Sequence, residues 1–128
     1  MSLSGISVRR FPEKGRGVVA ERAFRAGESI EKPPVIVLPA NEVTLLRQTR
    51  LGHYYFEWGE KCQEGAIALG CGSLYNHSYS PNARYEFREG DECLEFIALQ
   101  EIAPGEEITI NYNNVYESAA QPLKFAVK

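Results

Sequence analysis

Residues 73–82, Ser-Leu-Tyr-Asn-His-Ser-Tyr-Ser-Pro-Asn, make neither a good helix nor a good strand. The side chains of Asn76, Ser78, Ser80 and Asn82 compete for backbone hydrogen bonds. Pro81 fixes its own φ and pushes Ser80 out of the α region. The segment is expected to be an irregular, self-bonded loop in the middle of the chain. Loops of this kind often carry function on a rigid scaffold. Taken alone, these residues fit a polar surface turn equally well. The flanking sequence has to decide.

Upstream, residues 6–11 alternate as a strand, Pro12 to Gly15 turn, and residues 15–20 return. Gly15-Arg16-Gly17 lets a backbone take positive φ or approach a ligand closely, although a plain hairpin needs no more than that. Residues 23–30 form a turn feeding a strand, and residues 101–108 repeat that turn, each with glycine before a glutamate. Pro33-Pro34 precede Val35-Ile36-Val37-Leu38, an apolar run that reads as a buried strand. Asn41 is placed to cap a helix reaching about residue 50, with Val43, Leu45 and Leu46 inward. Residues 53–58 are aromatic and strand-like, 59–65 are a polar loop, and 66–69 return. Gly70 and Gly72 give the chain freedom to enter the central loop.

Downstream, residues 83–88 and 92–99 form a hairpin closed around Gly90-Asp91, and 107–112 are a last strand. The tail from Asn113 keeps Tyr116, Leu123, Phe125 and Val127 and is expected to dock. Many short strands, frequent Gly/Pro turns and one short helix define a mostly-β domain of small sheets.

At 128 residues the chain suffices for one domain with a real core. A net charge of −3 argues against nucleic acid and suits a basic, lysine-rich peptide, though it also simply aids solubility. No apolar run nears the roughly 20 residues that span a bilayer, and no signal peptide is visible, so a cytoplasmic location is expected and a membrane partner is not. Cys62, Cys71 and Cys93 are odd in number and unpaired in spacing, which fits reduced thiols and argues against a bound metal.

Three separated motifs then meet. Gly15-Arg16-Gly17, Asn76-His77-Ser78-Tyr79-Ser80-Pro81-Asn82 and Glu106-Glu107-Ile108-Thr109-Ile110-Asn111-Tyr112 resemble, in order and spacing, the SET-domain lysine methyltransferases. The first is weak alone; the second is highly specific. The resemblance covers residues 6–112, and the compact length is similar to the minimal SET domains of bacteria and viruses. It implies one SET domain over residues 1–128, with a core at 6–112 and a C-terminal lid at 113–128. It implies a β-clip fold of several small sheets, whose closing segment passes under the central loop as a pseudoknot. It implies S-adenosylmethionine as methyl donor and a lysine of a protein or peptide as acceptor.

By the same resemblance, Lys14, Gly15, Arg16 and Gly17 present backbone groups to the cofactor, and Asn76 and His77 hold its two ends, largely through main chain. Tyr112 sits where the methyl passes, so it belongs with both cofactor and catalysis. Tyr85 and Tyr54, with Phe56 on the same strand face, line the lysine channel, and Phe125 is the aromatic of the lid. Two departures stand out. Tyr79 replaces a frequent cysteine, and the zinc-binding tail that accompanies it is missing. Asn111 replaces the usual aspartate.

The chemistry has a physical requirement of its own. A free lysine has a pKa of about 10.4 and must be neutral to attack a methyl group. A narrow apolar channel beside a sulfonium disfavours the ammonium. Tyrosine hydroxyls can then fix the amine, with positioning in a dry site as the main source of rate. No general base is needed, and His77 is given no acid–base role. Taken singly, Tyr112, Tyr85 and Tyr54 read as well as packing residues. Peptide is expected to add as an edge strand, with Glu57, Glu60, Glu86, Glu89 and Glu92 as candidates to meet its basic groups. A SET-like module that binds a peptide without catalysis is the rival of another class, and a small-molecule methyltransferase is a third. Homodimerisation and the degree of methylation stay open.

Overall fold

The computed structural model describes residues 5–59 and 63–112. Short runs of β-branched and aromatic residues, punctuated by glycine and proline, become β1 (Ile6–Phe11), β2 (Gly15–Ala20), β3 (Ser29–Glu31) and β4 (Val35–Leu38). After α1 (Ala40–Leu46) come β5 (Tyr55–Trp58), β6 (Glu64–Ala68), β7 (Asn76–His77), β8 (Ala83–Arg88), β9 (Cys93–Ala98) and β10 (Glu107–Ile110). They build three small sheets, ordered β1-β2-β10-β7, β3-β9-β8 and β4-β6-β5.

The first sheet carries the topology that matters. β10 pairs antiparallel with β2, Ile108 opposite Val18, and parallel with β7, Thr109 opposite Asn76 and Ile110 opposite His77. A parallel pair cannot be joined by a tight turn. The chain therefore leaves β7, makes the β8–β9 hairpin, and returns as β10 between the N-terminal hairpin and the central loop. This is the expected pseudoknot of the β-clip fold. Val18, Val19 and Ala20 are wholly buried, because β2 has neighbours on both edges.

The two similar turns meet each other. Gly27 and Gly105 adopt φ of 85° and 86°, the left-handed region that glycine reaches without strain. Phe24 and Ile102, at matching positions before them, exchange two N–H···O bonds of 2.9 Å and are fully buried. The core around them contains Ile6, Leu94, Phe96, Ile108 and Ile110. Each such side chain contributes about 1.5–3 kcal/mol on burial.

Three local expectations need correction. β4 is an edge strand, not a buried one, and Ile36 is 53% exposed. The helix starts at Ala40 with Pro39 at its N-cap and ends at Leu46, so Asn41 lies inside it and caps nothing. So short a helix can cover one face only: Val43 is buried and Leu45 is 63% exposed. Finally, His53 and Tyr54 belong to a 3₁₀ turn and its cap, not to the aromatic strand, which starts at Tyr55. No helix among the described residues is long and apolar enough to cross a membrane.

Candidate active site

The first two motifs converge on the N-terminal hairpin. Gly15 has φ of 75°, which its turn requires. Gly17 is needed for a different reason. A Cβ there would come within 2.6 Å of Asn76 Nδ2, 2.7 Å of Glu107 Oε2 and 2.8 Å of Phe11 Cε2. The absence of a side chain at residue 17 is what lets β2, β7 and β10 close on one another.

Asn82 ties the central loop to the closing strand. Its Nδ2 donates to the Glu107 carbonyl at 2.9 Å, and its Oδ1 accepts the Thr109 N–H at 2.9 Å. The Ser78 N–H adds a bond of 2.8 Å to the Ile110 carbonyl. These bonds fix Asn76 and His77, both buried.

The polar atoms of those two residues are unevenly used. Asn76 Nδ2 donates to Glu107 Oε2 at 2.7 Å, and Lys14 Nζ holds the other Glu107 oxygen at 2.8 Å. Asn76 Oδ1 is buried without a partner among the described residues. His77 Nδ1 accepts the Tyr112 N–H at 3.0 Å, so the proton of the neutral ring sits on Nε2, which is likewise buried without a partner. Burial pushes the imidazole below its ordinary pKa, which favours that neutral form. Each orphan costs roughly 1–3 kcal/mol. Two adjacent ones, an acceptor and a donor, leave hydrogen-bonding capacity for which the fold itself supplies no partner among the described residues.

Tyr112 lies beside His77, ring centroids 5.0 Å apart, and Tyr79 meets the same imidazole edge-on at 4.5 Å. Its hydroxyl donates to the Tyr75 carbonyl at 3.0 Å. Burial, and then the neighbouring Tyr54, push its pKa well up, so the phenol stays protonated. Tyr85 donates its hydroxyl to the Tyr112 carbonyl at 3.1 Å, and Phe56 packs edge-on against the Tyr85 ring at 5.0 Å. Tyr85 thus links Phe56 to the main chain of Tyr112, whose ring lies beside His77. Tyr54 caps the 3₁₀ turn that precedes β5. Arg16 is exposed, and what the motif brings inward at that point is Gly17. Phe125 lies outside the described residues, as does the lid at 113–128.

Three residues escaped the sequence reading. Glu107 stood inside a quoted motif, but nothing local shows that it bonds Asn76, which is 31 positions away. Glu31 accepts the Tyr75 hydroxyl at 2.7 Å and the Cys71 N–H at 3.0 Å. Its burial outweighs those bonds and raises its pKa. Tyr75, stacked on Phe96 at 4.3 Å, passes that constraint to Tyr112 through its own carbonyl. Of the carboxylates proposed for a basic peptide, Glu86 already pairs with Arg84 and Arg88, and Glu60 lies outside the described residues. No group of three His, Cys, Asp or Glu among the described residues can hold a metal.

A family model described as SET domain matches residues 15–113. The chain belongs to the SET-domain family. A Schizosaccharomyces pombe histone-lysine N-methyltransferase, specific for H3 lysine-37, is 33% identical over 112 residues, which cover 87% of this chain and 75% of that protein. The Drosophila melanogaster histone-lysine N-methyltransferase Set8 is 30% identical over 123 residues, which cover 86% of this chain and 18% of that protein. Among solved structures, a Plasmodium falciparum protein assigned as a histone methyltransferase superposes with a TM-score of 0.69 at 26% identity, covering 87% of this chain and 99% of the other. These relatives place the SET domain among the protein-lysine N-methyltransferases.

Proposed function

We propose that this SET domain transfers a methyl group from S-adenosylmethionine to the side-chain amine of a lysine in a protein substrate. The observation that carries this reading is the pair of orphaned buried atoms, Asn76 Oδ1 and His77 Nε2, beside the hydroxyl-bearing ring of Tyr112. An amino-acid nucleoside brings both donors and acceptors to such a surface, so the residues present fit the cofactor. Lys14, Gly15, Arg16 and Gly17 would hold it along the hairpin, Asn76 and His77 from the central loop, and Tyr112 at the reacting end.

When bound, S-adenosylmethionine would supply an electrophilic methyl for the lysine nitrogen and retain the thioether as leaving group. The chain has to deliver the amine neutral and aligned. The aromatic group of Tyr112, Tyr85, Tyr54 and Phe56 disfavours the ammonium by excluding water, so its proton leaves to solvent before transfer. The Tyr112 hydroxyl, held by the Tyr75 carbonyl, keeps a fixed direction and stays neutral. Positioning of this sort is worth several powers of ten in rate. The reading includes a single domain with its core at residues 6–112. A histone is the first protein substrate to try, because the relatives carry that name.

Calorimetric titration with S-adenosylmethionine, on the native chain and on Asn76→Ala, tests the reading. Binding by the native chain that is lost in a folded variant, followed by turnover on lysine peptides, supports it. Failure of the native chain to bind would turn the reading to a peptide-binding module.

A further inference from the structure

The Asn76 amide has two chemically opposite ends, and only one of them has a partner among the described residues. Nδ2 is held at 2.7 Å by Glu107 Oε2, while Lys14 Nζ holds Oε1 at 2.8 Å. The Glu107 side chain is only 15% exposed. The position of Gly17 leaves no room for the group to relax, since even a methyl there would meet both Asn76 Nδ2 and Glu107 Oε2. Turning the amide over would set Oδ1 against a carboxylate oxygen at the same close distance. Two acceptors facing each other with no proton between them repel, and burial magnifies the repulsion. The carboxylate therefore dictates which end of Asn76 is left over, and that end is the buried, unpartnered Oδ1.

We infer that Glu107 is a positioning residue: it locks Asn76 with its carbonyl oxygen toward the ligand, so that the site selects the ammonium of an amino-acid nucleoside, and Lys14 holds Glu107 in place. The inference rests on the proposed use of S-adenosylmethionine. A charged donor is the best partner for an oxygen whose own amide is polarised by a carboxylate. The same oxygen would be a poor contact for a ligand carboxylate, which is excluded from this point by charge.

The test compares S-adenosylmethionine with methylthioadenosine, which keeps the nucleoside and lacks the amino acid. In Glu107→Leu, affinity for S-adenosylmethionine is expected to fall by about tenfold or more, and that for methylthioadenosine by less than about threefold. Glu107→Gln is expected to restore most of the loss, since its carbonyl still accepts from Nδ2. In an Asn76→Ala background, Glu107→Leu should leave the affinity for methylthioadenosine unchanged. Equal losses for both ligands, or no loss for either, would overturn the inference while leaving the cofactor reading intact. Binding of neither ligand by the native chain would overturn the reading itself.

Should Glu107→Leu fail to fold, a polarity swap gives the same answer. Asn76→Asp puts oxygen against oxygen and is expected to weaken S-adenosylmethionine binding. Adding Glu107→Gln supplies a donor across the pair and is expected to recover it. A purely structural role for Glu107 predicts the same loss and the same recovery for methylthioadenosine.

Discussion

The Tyr112 hydroxyl donates to the main-chain carbonyl of Tyr75 at 3.0 Å, which joins the end of the closing strand to the residue just before Asn76. The direction of that hydroxyl is thus set by backbone. Tyr112→Phe keeps the ring against His77 and removes the bond. The expected result is a fall of roughly a hundredfold in kcat with KM little changed. The orphaned Tyr75 carbonyl should cost about 1–3 kcal/mol of stability. Steady-state kinetics on a lysine peptide, with thermal unfolding in parallel, checks both.

Tyr85 spends its hydroxyl on the Tyr112 carbonyl, at 3.1 Å. Tyr85→Phe removes an oxygen from the aromatic group and loosens the main chain at Tyr112. More highly methylated product is expected, and mass spectrometry of a peptide reports it. An unchanged product distribution would remove Tyr85 from the channel.

Gly17→Ala places a methyl within 2.8 Å of atoms on Phe11, Asn76 and Glu107. Overpacking of this kind costs about 1–3 kcal/mol, and here it separates the hairpin from the central loop. A lowered unfolding midpoint together with lost cofactor binding is expected. Gly15→Ala, where nothing lies within 4 Å of the added atom, acts only through its φ of 75° and should disturb the binding surface less.

Asn82→Leu tests the pseudoknot. It removes the bonds to the Glu107 carbonyl and the Thr109 N–H, both at 2.9 Å, and leaves those groups short of partners at a buried position. A loss of roughly 2–4 kcal/mol is expected in denaturant unfolding. The effect should exceed that of Ser78→Ala, because the Ser78 link to Ile110 runs through its main-chain N–H.

His77 gives a pH dependence whose sign can be worked out. Burial lowers its pKa below the ordinary 6.5. The unfolded chain therefore binds the proton first as pH falls. Its contribution to stability is complete above about pH 6.5 and is lost progressively below it, down to the folded value. Protonating Nδ1 would also break the bond from the Tyr112 N–H. His77→Asn should flatten the slope of stability against pH in that window. An unchanged slope would mean that another group is responsible.

Much of this was legible in the chain itself. The motif at residues 76–82, flanked by the Gly-x-Gly and the closing Glu-Glu-Ile-Thr, announced the family, and alternating β-branched runs announced most of the strands. The errors share one cause. Local pattern says that Val35-Ile36-Val37-Leu38 is apolar, but not that the strand lies at an edge, where one residue of the run meets water. It marks Tyr54 as aromatic, but not that a 3₁₀ turn takes it out of the strand that starts at Tyr55.

The sequence by itself determined the kinds of element and the side chains that carry the chemistry, because propensity, turn residues and motif spacing are short-range properties. Tertiary structure alone decided how those side chains are oriented. Lys14 and Glu107 stand 93 positions apart, and Asn76 and Glu107 stand 31 apart. Only the passage of β10 between β2 and β7 brings them together and turns the Asn76 Nδ2 toward Glu107. A hydrogen bond depends on angstrom distances, and no spacing along a chain fixes those until the sheets have closed.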